Sequence, residues 1–118
     1  LRIKVEVQVN AKDIEKDVYK RIERAQFALD NQVLKDSNYF APWDTQATID
    51  SSFIHSKIGE GMLIWAVPYV RRIYFNPQFN FSKDKNPHAG GLWFEVAKSQ
   101  FLSDWVKVAN NAAAGGRR

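Results

Sequence analysis

The first ten residues place the strongest constraint on what this chain can fold into. Ile3, Val5, Val7 and Val9 alternate with Arg2, Lys4, Glu6 and Gln8, a period of two that puts the apolar side chains on one face of a strand and the polar ones on the other. At Asn10 the period changes. Ile14, Val18, Ile22, Ala25, Leu29 and Val33 recur every three or four positions from about 11 to 38, while Lys12, Lys16, Lys20, Glu23, Asp30 and Lys35 mostly face away. That spacing predicts an amphipathic helix. Asn10 suits its N-cap, and Asp13 and Glu15 put negative charge in its first turn. Such a helix measures roughly 40 Å at 1.5 Å per residue. One end is therefore expected to project or to pack on another chain.

A chain of 118 residues, 45% of them hydrophobic, can bury one core but not two. Two-domain enzyme architectures are excluded. One domain is expected over 1–112, with a flexible C-terminal tail at 113–118 where Gly115-Gly116 precede Arg117-Arg118.

Downstream, the Ala41-Pro42 step ends the helical region, because the residue before a proline is pushed out of the α region. Residues 43–47 then read as a loop. Residues 48–56 and 61–67 read as strands, joined by a turn in which Gly59 and Gly61 supply the conformations a hairpin needs. Met62 to Val67 is apolar on both faces, as in a strand inside a sheet or under a cover. Pro68 opens one or two helical turns over Tyr69 to Phe75. Residues 76–90 read as a long exposed loop with a short extended piece at 78–82. A final helix over 91–112 spaces Phe94, Ala97, Phe101 or Leu102, Trp105, Val108 and Ala109 helically, with Ser99 or Ser103 marking a kink and Gly115 lying beyond its end. The expected class is α+β: an antiparallel sheet of three or four strands, with one long N-terminal helix and a C-terminal helix packed on it.

The chemical inventory is thin. With no cysteine, disulfide scaffolds, zinc knuckles and thiol chemistry are excluded. There is no phosphate loop, nucleophile elbow, paired-histidine helix or calcium loop. His55 and His88 have no ligand spacing and read as exposed or hydrogen-bonded side chains, so no metal or cofactor is expected. Asp44, Asp50 and His55 can be drawn as a hydrolytic cluster, but Asp44 before Thr45 suits an Asx turn and Asp50 a solvent-facing position. The reading is therefore not an enzyme.

The net charge is +4, and two of those charges are Arg117 and Arg118. Arg71 and Arg72 beside Tyr69 and Tyr74 resemble a fragment of a nucleic-acid surface, which keeps a small nucleic-acid-binding module as the alternative. Two arginines are not a stripe, however, and useful phosphate binding needs several. Guanidinium groups and aromatics are also the side chains most enriched where protein–protein binding energy concentrates. No apolar run approaches the ~20 residues that cross a bilayer and no charged-then-apolar leader is visible, so a soluble chain without a membrane partner is expected.

Two phrases in the middle of the chain carry a resemblance. Tyr39-Phe40-Ala41-Pro42-Trp43-Asp44-Thr45-Gln46-Ala47-Thr48-Ile49-Asp50-Ser51-Ser52 is followed by Ile64-Trp65-Ala66-Val67-Pro68-Tyr69-Val70-Arg71-Arg72-Ile73-Tyr74-Phe75. Together they resemble the small minor capsid proteins of long-tailed bacteriophages, where a helix leads to Pro-x-Asp-Thr-Gly-x-Leu-x-x-Ser, then to Trp-x-x-Pro-Tyr-Ala and a Tyr-rich turn. Leu92-Trp93-Phe94-Glu95-Val96-Ala97-Lys98, with Trp105 beyond it, is similar to the family's C-terminal helix. Gln46 stands where the family usually has Gly, Thr48-Ile49 replaces the Gly-x-Leu continuation, and Val70 replaces Ala. Gly permits a positive φ that Gln resists, so the turn after Thr45 is expected to differ.

The resemblance implies a structural virion protein of the head–tail connection, in the neck or at tail completion. Such a protein acts as a ring of identical copies between head-closure or portal-side proteins and the tail tube or tail terminator. It would reside in the virion at the head–tail interface, and in the host cytoplasm during assembly. Sixteen Trp, Tyr and Phe residues in so short a chain fit a subunit completed by its neighbours. The expected subunit-contact residues are Trp43, Trp65, Tyr69, Arg71, Arg72 and Tyr74. Contact with packaged DNA is expected to be weak at this net charge.

Overall fold

In a computed structural model, residues 1–7, 16–41, 47–76 and 90–114 are described. The elements run β1 (Arg2–Lys4), α1 (Lys16–Tyr39), α2 (Ala47–His55), β2 (Met62–Ile64), α3 (Val70–Tyr74) and α4 (Trp93–Ala113). The expected cap at Asn10, the loop at 43–47 apart from Ala47, most of the 76–90 loop with its extended piece at 78–82, His88 and Gly115 to Arg118 lie outside the described residues.

The alternating N-terminal segment does pair with the apolar segment, but the sheet is small. β1 and β2 are antiparallel, with Ile3 opposite Leu63, and they form a two-stranded sheet. The expected sheet of three or four strands is thus corrected: among the described residues there are two strands of three residues each, and the fold is mostly helical. The regular pairing of β1 stops at Lys4, although the Val5 amide still donates to the Gly61 carbonyl at 2.7 Å.

The missing strand is α2. The β-branched residues Thr48, Ile49 and Ile54 gave 48–56 its strand-like appearance, yet Ala47–His55 is a nine-residue helix. Its serines decide the matter. Ser51 and Ser52 hydroxyls donate to the Thr48 and Ile49 carbonyls three residues back, both at 2.6 Å. The same side of the segment then offers hydroxyl oxygens to the outer edge of β2 and the residues just beyond it: the Ala66 amide donates to Ser51 Oγ at 3.0 Å, and the Ile64 amide to Ser56 Oγ at 2.8 Å. A strand there would pair with the backbone of β2; the helix substitutes side-chain oxygens for the ladder. The turn before β2 does form, with the Lys57 amide bonded to the Met62 carbonyl at 2.8 Å.

The expected long N-terminal helix over 11–38 is also corrected: residues 11–15 lie outside the described residues, and among those described the helix starts at Lys16. It has 24 residues, Lys16 to Tyr39, or about 36 Å, and α4 covers it rather than leaving it overlong. The 21 residues of α4 run antiparallel to α1 without interruption at Ser99 or Ser103, and reach Ala113, just inside the expected tail. The pair is tied at three levels. Phe40 meets Phe101 with ring centroids 6.3 Å apart, the Trp105 indole N–H donates to Asp36 at 2.7 Å, and Arg24 donates to the Ala112 and Ala113 carbonyls. That last contact sets a cation on the negative end of α4.

Of the helical stripe, Ala25, Leu29 and Val33 are buried, and Val18 and Ile22 are half-buried. Asp30, expected to face away, is instead wholly buried. Its Oδ2 accepts from the Gly59 and Gly61 amides, each at 2.8 Å, and its Oδ1 from Gln26 Nε2 at 2.8 Å. One turn earlier, the Gln26 amide pairs with β1 as a strand would, donating to the Val5 carbonyl at 2.7 Å and accepting from the Val7 amide at 2.9 Å. Gly61 is required there twice over: its φ is +74°, and an added Cβ would collide with the Val5 carbonyl oxygen.

Removing the carboxylate strands two amides against a packed helix. Asp30→Ala is expected to lower unfolding free energy by about 2–5 kcal/mol in urea denaturation. A loss below about 1 kcal/mol would mean that water replaces the carboxylate at no cost.

Candidate subunit interface

The candidate contact residues sit where β2 runs into α3, and their neighbours decide which are available. Trp65 follows β2 and is fully buried. Its indole N–H donates to Asn38 Oδ1 at 2.9 Å, and Asn38 in turn donates to Ser52 Oγ at 2.9 Å, which links β2, α1 and α2 in one polar chain. Its ring stands edge-on to Trp93 at 6.0 Å.

Within α3, Val70 and Tyr74 are one turn apart and both buried. Tyr74 meets Trp93 at 4.6 Å with the rings perpendicular, a favourable edge-to-face geometry. The Leu92 amide donates to the Tyr74 carbonyl at 2.9 Å, and the Gly90 amide to the Phe40 carbonyl at 3.1 Å, so the ends of α1 and α3 and the start of α4 form one joint. Leu92 pivots that joint in the left-handed region, with φ +51°, a conformation uncommon for leucine.

Trp65 and Tyr74 are both enclosed by their own chain. Tyr69, Arg71 and Arg72 are on the outward side, and Phe75 joins them at the end of α3. Trp43 lies outside the described residues. A five-residue helix with its apolar side locked to Trp93 thus presents an aromatic and two cations to the exterior. Asp50 and His55 are exposed on α2, and Asp44 lies outside the described residues. No group of acidic, histidine or cysteine side chains able to hold a metal occurs among the described residues. No helix among them is long and apolar enough to cross a membrane.

Sequence reasoning missed the more exposed apolar positions. Phe53 and Ile54 on α2, Leu102 and Val106 on α4, and Phe27 on α1 all stand open to solvent. The signal was present for Leu102, which competes with Phe101 for one helical position; Phe101 takes the inner place. For Phe53 and Ile54 the strand reading hid it.

The two buried rings differ in how their polar atoms fare. The Trp65 N–H is bonded, whereas the Tyr74 hydroxyl is buried with no hydrogen-bond partner among the described residues. Tyr74→Phe is thus expected to leave the protein equally stable or up to about 1 kcal/mol more stable, and Trp65→Phe to cost about 2–4 kcal/mol, both read from thermal or urea unfolding. A large loss on Tyr74→Phe would reveal a partner for its hydroxyl.

The minor capsid protein family model matches residues 4–113, nearly the whole chain, from β1 through α4. No curated protein and no solved structure matches it. The matched span includes both phrases that carry the resemblance, together with the polar chain and the joint built on them. This chain belongs to the minor capsid protein family and is a structural component of a bacteriophage virion.

Proposed function

We propose that the protein is a subunit of a homo-oligomeric ring at the head–tail connection, in the neck or at the tail end, that joins the portal side of the capsid to the tail tube. The observation that carries this reading is surplus apolar surface on a subunit whose core is already closed. Among the described residues, nine large apolar or aromatic side chains are exposed, while Trp65, Tyr74 and Trp93 are wholly enclosed. Single exposed hydrophobics are ordinary, but groups of them on a virion structural protein are what neighbouring copies cover. Tyr69, Arg71 and Arg72 are the contact residues of the α3 end. Their backbone is fixed by the joint with α4, so they reach a neighbour with little ordering cost. The axial neighbours are head-closure or portal-side proteins on one side and tail tube or terminator proteins on the other.

Copy number tests the ring. Mass measurement of purified virions is expected to give six or twelve copies per particle, and one copy per particle would rule the ring out. Arg71→Glu with Arg72→Glu is expected to reduce incorporation into particles while leaving the unfolding free energy within about 1 kcal/mol of the parent, since exposed charges add little to stability. Tight, salt-sensitive retention of the isolated chain on DNA would favour the nucleic-acid module instead.

A further inference from the structure

The second helix is built inside out. Thr48, Ser51 and Ser52 are buried beside a single apolar residue, Ile49, and Phe53 and Ile54 are 63% and 74% exposed. An ordinary surface helix does the reverse. The arrangement cannot be relieved by rotating α2, because the Ser51 hydroxyl, with that of Ser56 just past the helix, holds the edge of β2. Asp50, also exposed, is three residues before Phe53 and four before Ile54, and so lies one turn away on the same face.

The opposite flank carries the complement. From α2 the order runs to β2, then β1, then a groove of about 380 Å³ between β1 and α4. Val5, Val7 and Phe94 line it, and the half-exposed Leu102 and Val106 form its α4 lip. Lys4, Glu6 and Lys98 stand around it, giving the rim one net positive charge by residue type. Leu1 and Val5 bond to the β2 side at Trp65 and Gly61, so the backbone groups of Arg2 and Lys4 point away from β2 by the alternation of an antiparallel ladder.

We propose that the groove between β1 and α4 receives the α2 ridge of a second copy, with Phe53 and Ile54 seated between Val5 and Val106 and Asp50 facing the Lys4 and Lys98 ammonium groups. The proposal rests on the ring reading and supplies its lateral contact. Ridge and groove occupy different flanks of one chain, so each copy gives one contact and receives another, the heterologous arrangement that closes into a ring when the rotation per copy divides a full turn. A two-fold pairing of grooves, or a small apolar molecule in the groove, would leave the ridge bare. The sign of charge also matches: one carboxylate on the ridge meets a rim with a cationic excess.

The absence of native cysteine gives a direct test. Ile54→Cys and Val106→Cys together place thiols at two exposed positions. Oxidation of the full chain in purified virions is expected to give a ladder of covalent multimers rising past the dimer, absent from either single variant. In parallel, Phe53→Ser with Ile54→Ser is expected to weaken subunit association roughly 100-fold or more, with an unchanged unfolding midpoint. Rings of normal mass in the serine variant, with no ladder in the cysteine variant, would overturn the ridge-in-groove contact and leave the ring standing. Covalent dimers from Ile54→Cys alone would overturn it in favour of ridge against ridge. One copy per particle would overturn ring and contact together.

Discussion

Two polar side chains one helical turn apart, Gln26 and Asp30, hold the small sheet to the helical pair. A two-stranded sheet of this length is not stable by itself in water, and β1 and β2 pair regularly over three residues each. Gln26 extends that pairing by acting as a short third strand for Val5 and Val7, and Asp30 gathers the glycine turn that starts β2. Both carboxyl oxygens of Asp30 are engaged. The position of β1, and with it one wall of the groove against α4, follows from this clamp.

The helical stripe was legible because it repeats: Ala25, Leu29 and Val33 lie buried where the spacing puts them. The α3 turn was legible from Pro68, and α4 from the spacing of Ala97 and Trp105. Asp30 was not, since a charged residue on a helix ordinarily faces water and its partners, Gly59 and Gly61, are some thirty residues away. The segment 48–56 misled for a related reason. β-branched residues favour strands, but the preference is small beside the tertiary bonds that Ser51, Ser52 and Ser56 make with β2 and Asn38. Of the candidate contact residues, Tyr69, Arg71 and Arg72 read as exposed from their polarity, while Trp65 and Tyr74 read equally well as interface or core. Their burial follows from Trp93, which the fold brings beside both.

The polar side of α2 also explains why so small a fold has so much apolar surface to offer. Serine hydroxyls that cap a sheet edge close it to other strands, which removes one route to indiscriminate aggregation. The apolar residues of the same helix are then free to serve a shape-specific contact. Closure of the sheet edge and exposed apolar side chains thus lie on opposite sides of one short helix.

The joint between α3 and α4 has a consequence for how such chains can diversify. Tyr74 and Leu92 are held together by a 2.9 Å backbone bond, so the two ends of the sequence between them meet at one point of the fold. Once two ends are fixed together, doubling the length of a connection costs only about 0.6 kcal/mol of closure entropy. Insertions or wholesale exchanges between these two anchors can therefore accumulate without disturbing Trp65, Trp93 or the helical pair.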